Sequence, residues 1–141
     1  MAIQMLSGIL AHQATKDKDG HYHIIDPVTP VAVPVAWRQT PPQGIQLPVT
    51  VAILYLWNGS PGPFQLTTSI VFPDGEERPA NTQDVTWRDG ASHMRILEYL
   101  DMKLDFRGIG VYAIRFSIDN QVIGQLPIVL HWEDDPHFIN P

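Results

Sequence analysis

Residues 106–132 read FRGIGVYAIRFSIDNQVIGQLPIVLHW, and their patterning decides the fold class. Tyr112, Ile114, Phe116 and Ile118 share one parity, and Ala113, Arg115 and Ser117 share the other. This period-two alternation is that of a half-buried strand. Asp119-Asn120-Gln121 supplies a turn, because Asp and Asn tolerate left-handed backbone and bond their own main chain. The return strand carries Val122, Leu126, Ile128, Leu130 and Trp132 on one face. The stretch is a predicted β-hairpin.

Working outward, the same signals recur along the chain. Residues 3–14 predict a first strand with Ile3, Met5, Ile9 and Ala11 on one parity and Leu6 and Leu10 on the other, apolar on both faces. Lys16 to Gly20 is a polar hairpin turn, and His21 to Asp26 a second strand. Residues 27–48 hold Pro27, Pro30, Pro34, Pro41, Pro42 and Pro48. Proline removes ladder donors and fixes φ, so this segment predicts an extended, partly polyproline-like crossover from one sheet to another. Val49 to Asn58 predicts a central strand, with Trp57 on the core parity, as is Trp132 later. Strands are also expected at Phe64–Pro73 and Thr82–Arg88, with 76–81 a polar connection. Residues 93–100 fit helix and strand alike, whereas 98–106 favours strand.

The chain of 141 residues has the length of one domain. The expected architecture is all-β: a single antiparallel β-sandwich of 7–9 strands spanning 1–141, with the crossover at 27–48 and a short tail at 133–141. Thirteen prolines and ten glycines punctuating short apolar segments support it. Absence of cysteine excludes disulfides, thiolate metal sites and a cysteine nucleophile. A formal charge of −6 opposes nonspecific nucleic-acid binding, which needs a basic patch. No apolar run approaches the ~20 residues of a membrane span, and the N-terminus lacks a basic n-region, so no membrane partner and a cytoplasmic location are expected.

Gly108-Ile109-Gly110-Val111-Tyr112 resembles the Gly-x-Tyr approach to a strand in immunoglobulin-like sandwiches, which implies a tyrosine hydroxyl tying a corner. In order, Ile9 to His23, the Pro-rich crossing, Val49 to Gly75 and Gly110 to Leu130 resemble small uncharacterised bacterial β-sandwich proteins of immunoglobulin-like or C2-like architecture. That resemblance covers most of the chain. It implies a fold and supplies no site.

Candidate chemistry is sparse. His21-x-His23 sets two imidazoles on one strand face, a geometry able to chelate zinc or copper. His131, Glu133 and His137 form the densest cluster of potential metal ligands. No catalytic motif is found: there is no Gly-x-Ser-x-Gly, and Ser92 and His93 are expected on opposite strand faces. Glu98 breaks an apolar parity, as a buried carboxylate or, more simply, as a residue at a bulge or sheet edge. Trp37 and Trp87 are the tryptophans expected at the surface, where they offer a sugar-stacking platform. The expected function is a non-catalytic protein-interaction or structural module without cofactor, partnered by itself as a homo-oligomer or by another protein. Its surface is the Pro-rich edge at Pro30, Pro34, Trp37, Pro41 and Pro42, with the two-sided first strand. The alternatives are a carbohydrate- or small-ligand-binding sandwich and a divalent-metal-binding protein.

Overall fold

The computed structural model describes residues 3–19, 22–27, 30–47, 51–101 and 103–138, with the backbone alone at 12–14, 16 and 22–27. Val49, Met102 and His21 lie outside the described residues, as do Pro48 and the last three residues. The fold is all-β. Its strands are β1 (Gln4–Lys16), β2 (Tyr22–Pro27), β3 (Val31–Val33), β4 (Gly44–Gln46), β5 (Val51–Trp57), β6 (Gly62–Val71), β7 (Glu77–Trp87), β8 (His93–Tyr99), β9 (Lys103–Asp105), β10 (Gly110–Ile118) and β11 (Gln121–Trp132). A 3₁₀ turn covers Val35–Arg38. These are eleven strands among the described residues, against the seven to nine expected, because three of them are only three residues long.

Four strands form one sheet in the order β2-β1-β5-β8, and five form another in the order β3-β11-β10-β6-β7. β4 and β9 make a small third sheet. All pairs are antiparallel except β3 on β11. The Pro-rich crossover therefore leaves the first sheet at β2 and lays β3 on the edge of the second. Segment 93–99, ambiguous at the level of period, is strand, because β5 offers it seven consecutive partners. β7 begins at Glu77, earlier than expected. It tolerates Pro79 because it is an edge strand with a bulge at that point.

The hairpin at 110–132 forms as its pattern predicts. Asp119 and Asn120 both adopt positive φ, at 49° and 68°, the backbone of a two-residue hairpin turn. A bulge then shifts the register between Phe116 and Ser117. It turns Ile123 toward the core and leaves Val122, expected inside, 55% exposed. β1 uses the same device: a bulge between Met5 and Ser7 leaves Leu6 63% exposed and brings Leu10 into the core.

One apolar core draws on both large sheets. Leu10, Ala52, Leu54, Leu56 and Ile96 come from the first, and Leu66, Ile70, Ile114, Phe116, Ile128 and Leu130 from the second. The core face of β5 is thus the Ala/Leu face. Trp57, on the opposite parity, is 42% exposed and donates from Nε1 to Gln4 Oε1 at 2.9 Å. β5 is apolar on both faces, so alternation alone does not select the inner one.

Tyr112 closes one corner. Its hydroxyl donates to Gly108 O at 2.8 Å and accepts from Arg107 N at 2.9 Å. Beside it the guanidinium groups of Arg107 and Arg78 stand 4.0 and 5.2 Å from the Phe72 ring. Arg107 bonds Asp74 and Glu76, and Arg78 bonds Glu76 and Asp105. These bonds, that from Arg107 first, hold the Glu76 carboxyl below its ordinary value. Such exposed pairs orient side chains more than they stabilise the fold.

Two substitutions test this packing. Tyr112→Phe strips a half-buried carbonyl and a half-buried backbone N–H of their partner. It is expected to lower unfolding free energy by about 1–3 kcal/mol, read from urea midpoints. A Cβ on Gly59 runs into the Trp87 ring, whereas on Gly124 it meets the far end of the unbranched Met5 side chain. Gly59→Ala is therefore expected to cost about 1–3 kcal/mol, and more than Gly124→Ala.

Candidate functional site

β8 directs Met94, Ile96 and Glu98 inward and Arg95, Leu97 and Tyr99 outward, following its register with β5. Glu98 lies in the inward row Leu10–Ala52–Glu98. β8 is an edge strand, as the simpler reading of Glu98 required. Its carboxylate nevertheless turns into the protein and is only 1% exposed. Ala52, the smallest member of that row, leaves room beside it.

Two residues of the opposite sheet reach this carboxylate. Thr68 Oγ1 on β6 donates to Glu98 Oε1 at 2.6 Å, and Asn81 Nδ2 on β7 donates to the same oxygen at 3.3 Å. Oε2 is buried and has no hydrogen-bond partner among the described residues. A bulge in β7 makes the geometry possible: Thr68 pairs with Asn81 and Ser69 with Pro79, so Ala80 is the extra residue. Bulges re-aim side chains in this way. Thr68 and Asn81 also line a cleft of about 250 Å³, together with Ile70, Ala80, Tyr99, Leu100, Asp101 and Ile114; Glu98 itself lies behind them and does not line it. It opens where the edge strands β7 and β8 face each other. Burial pushes the Glu98 carboxyl above its ordinary value, and the bonds from Thr68 and Asn81 oppose that rise without cancelling it.

The residues singled out from the sequence fare differently. His131 is buried, its Nδ1 is 2.8 Å from Trp132 O, and its ring stacks on Phe138 at 4.1 Å. Glu133 Oε1 accepts from Val35 N at 3.1 Å, and the His137 amide bonds Asp135. This stretch fastens the chain end to the 3₁₀ turn, aided by Arg38 on Asp134 at 2.7 Å. Among the described residues no three His, Asp or Glu side chains gather as for a metal ion. His21 lies outside the described residues. His23 is placed on β2 by its backbone alone.

Trp87, expected at the surface, is 1% exposed. It packs over Gly59 and donates to Ala91 O at 2.9 Å, so it offers no stacking face. Trp37 is half-buried, edge-on to Phe106 at 5.3 Å. Pro30, Pro34 and Pro41 are exposed and Pro42 is half-buried. Ser92 Oγ does meet His93 Nδ1 at 3.0 Å, contrary to the opposite-face expectation, because Ser92 precedes the strand. The pair is exposed, and among the described residues no carboxylate bonds the ring to orient it as a general base.

Neither a protein-family model nor a curated protein matches this chain.

The raised carboxyl has a definite sign in stability. Above the ordinary value of 4.5, the unfolded chain has released the Glu98 proton while the folded chain still holds it. Stability contributed by that group is complete below the unfolded value and is lost as pH rises through the folded one. Glu98→Gln has no proton to release. The stability of the variant relative to wild type is therefore expected to climb as pH rises above 4.5, measured as urea midpoints at a series of pH values.

Proposed function

We propose that this chain is a non-catalytic β-sandwich module, immunoglobulin-like or C2-like, that works by docking to protein and first of all to a second copy of itself. The sandwich reading is supported by two sheets sharing one core and by the Tyr112 tie at its corner. The resemblance of the ordered blocks to bacterial sandwich proteins supports it as well.

The docking reading rests on the outer face of the β2-β1-β5-β8 sheet. Its outward rows across β1, β5 and β8 are Gln4–Trp57–His93, Ser7–Tyr55–Arg95, Ile9–Ile53–Leu97 and Ala11–Val51–Tyr99. Ala11, Val51 and Ile53 are shielded, while Leu6, Ile9, Trp57 and Tyr99 stand out at 63%, 38%, 42% and 71% exposure. These rows contain no carboxylate, in a chain with fifteen acidic residues and a charge of −6. Two copies meeting there avoid the like-charge repulsion that the rest of an acidic surface imposes, and clustered exposed apolar side chains are what such an interface uses. The Pro-rich edge takes a secondary role. Val31–Val33, Trp37 and Arg38 are already engaged with β11, Phe106 and Asp134.

Native mass spectrometry and light scattering test the proposal. Wild type is expected to be dimeric at micromolar concentration. Leu6→Asp combined with Ile9→Asp, both at exposed positions, is expected to give a folded monomer. A monomeric wild type overturns the reading, as does a double variant that dimerises unchanged.

A further inference from the structure

The cleft between β7 and β8 opens at strand edges and shares Tyr99 with the margin of that face. We propose that it is a binding site for a primary alkylammonium group, with the ammonium on Glu98 and the alkyl stem against Ile70, Ala80 and Ile114. Three observations lead there. Glu98 is buried with one carboxylate oxygen unpartnered, so it lacks a donor that a ligand can bring. Both residues that hold its other oxygen, Thr68 and Asn81, line the cleft. Asp101 is among the described residues that line the cleft and none of them is cationic, so the charge there selects a cation.

The geometry narrows the class further. A hydroxyl donates a single hydrogen bond without charge, whereas an ammonium donates three and neutralises the carboxylate in the same step. Apolar walls exclude strongly hydrated cations and favour an ion carried on a hydrocarbon stem. Asn81 is the movable gate. Its bond to Glu98, at 3.3 Å, is the longer of the two, and it sits beside the Ala80 bulge on an exposed edge strand. The groups facing Glu98 from β5, β6 and β7 are Ala52, Thr68 and Asn81, all uncharged. Along the cleft only Tyr99 and Asp101 are ionisable. Binding therefore couples to the ionisation of Glu98, and strengthens as pH rises until the amine itself loses its proton.

Amide NMR titration of the full chain at mildly alkaline pH, with n-butylamine against 1-butanol, is the test. Butylamine is expected to shift the Thr68, Asn81, Tyr99 and Asp101 signals and to bind about tenfold or more tightly than butanol, the scale of a charge-assisted hydrogen bond. Glu98→Gln, which keeps the side-chain shape, is expected to lose that advantage without disturbing the rest of the spectrum. Ala80→Leu, which narrows the cleft, is expected to weaken both probes. Nα-acetyl-lysine methylamide, run alongside, separates the sources of the ammonium. Binding equal to butylamine assigns the site to a lysine side chain of a partner, and much weaker binding assigns it to a free amine. The proposal is overturned if butanol binds as well as butylamine, if the Gln variant binds undiminished, if shifts gather at the acidic turn near Asp134 instead, or if neither amine shifts these signals at millimolar concentration.

Discussion

The structure depends on one apolar contact layer, in which the Ala52, Leu54 and Leu56 face of β5 joins the inner faces of β6, β10 and β11 in a single core. Backbone pairing makes the two large sheets, but hydrogen bonds within a sheet do not bring two sheets together. Burial of side chains does, at roughly 25 cal/mol per Å² of apolar surface removed from water. Once the Ala/Leu face of β5 is inside, β1 and β8 follow through their registers, and every outward residue of that sheet is assigned.

Bulges adjust this layer where strict alternation fails it. In β1 the extra residue near Leu6 restores the parity that brings Leu10 inward. In β11 it exchanges Val122 for Ile123, and in β7 it sets Asn81 within reach of Glu98. Each inserts one residue and changes which side chains face the core. The same device thus shapes the exposed apolar face, the hairpin end and the cleft.

Glu98 is the exception within that layer. A carboxyl among Leu10, Ala52 and Ile96 costs stability unless it is bonded, and Thr68 and Asn81 satisfy only one of its oxygens. Carboxyls whose ionisation is shifted by burial cluster at functional sites. The feature was legible before any fold was known, as a charged residue on an otherwise apolar parity. What it touches was not. Thr68 and Asn81 are 30 and 17 residues away in sequence. Neither carries a local signal pointing to Glu98.

The sequence by itself determined the strand-rich class, the hairpin at 110–132 and its Asp119-Asn120 turn, because these depend on neighbours within a few residues; the Tyr112 tie was implied by the resemblance of residues 108–112 to the Gly-x-Tyr approach of immunoglobulin-like sandwiches. The sequence also located the crossing of the Pro-rich segment, since proline's missing donor acts locally. Only the tertiary structure decided which face of β5 is core, that Trp87 is buried and Trp57 exposed, and that 93–99 is strand. The physical reason is common to all three. Where both faces of a segment are apolar, or two periods fit it equally, the free-energy difference between alternatives lies in partners distant along the chain. Only the packed sheets bring those partners together.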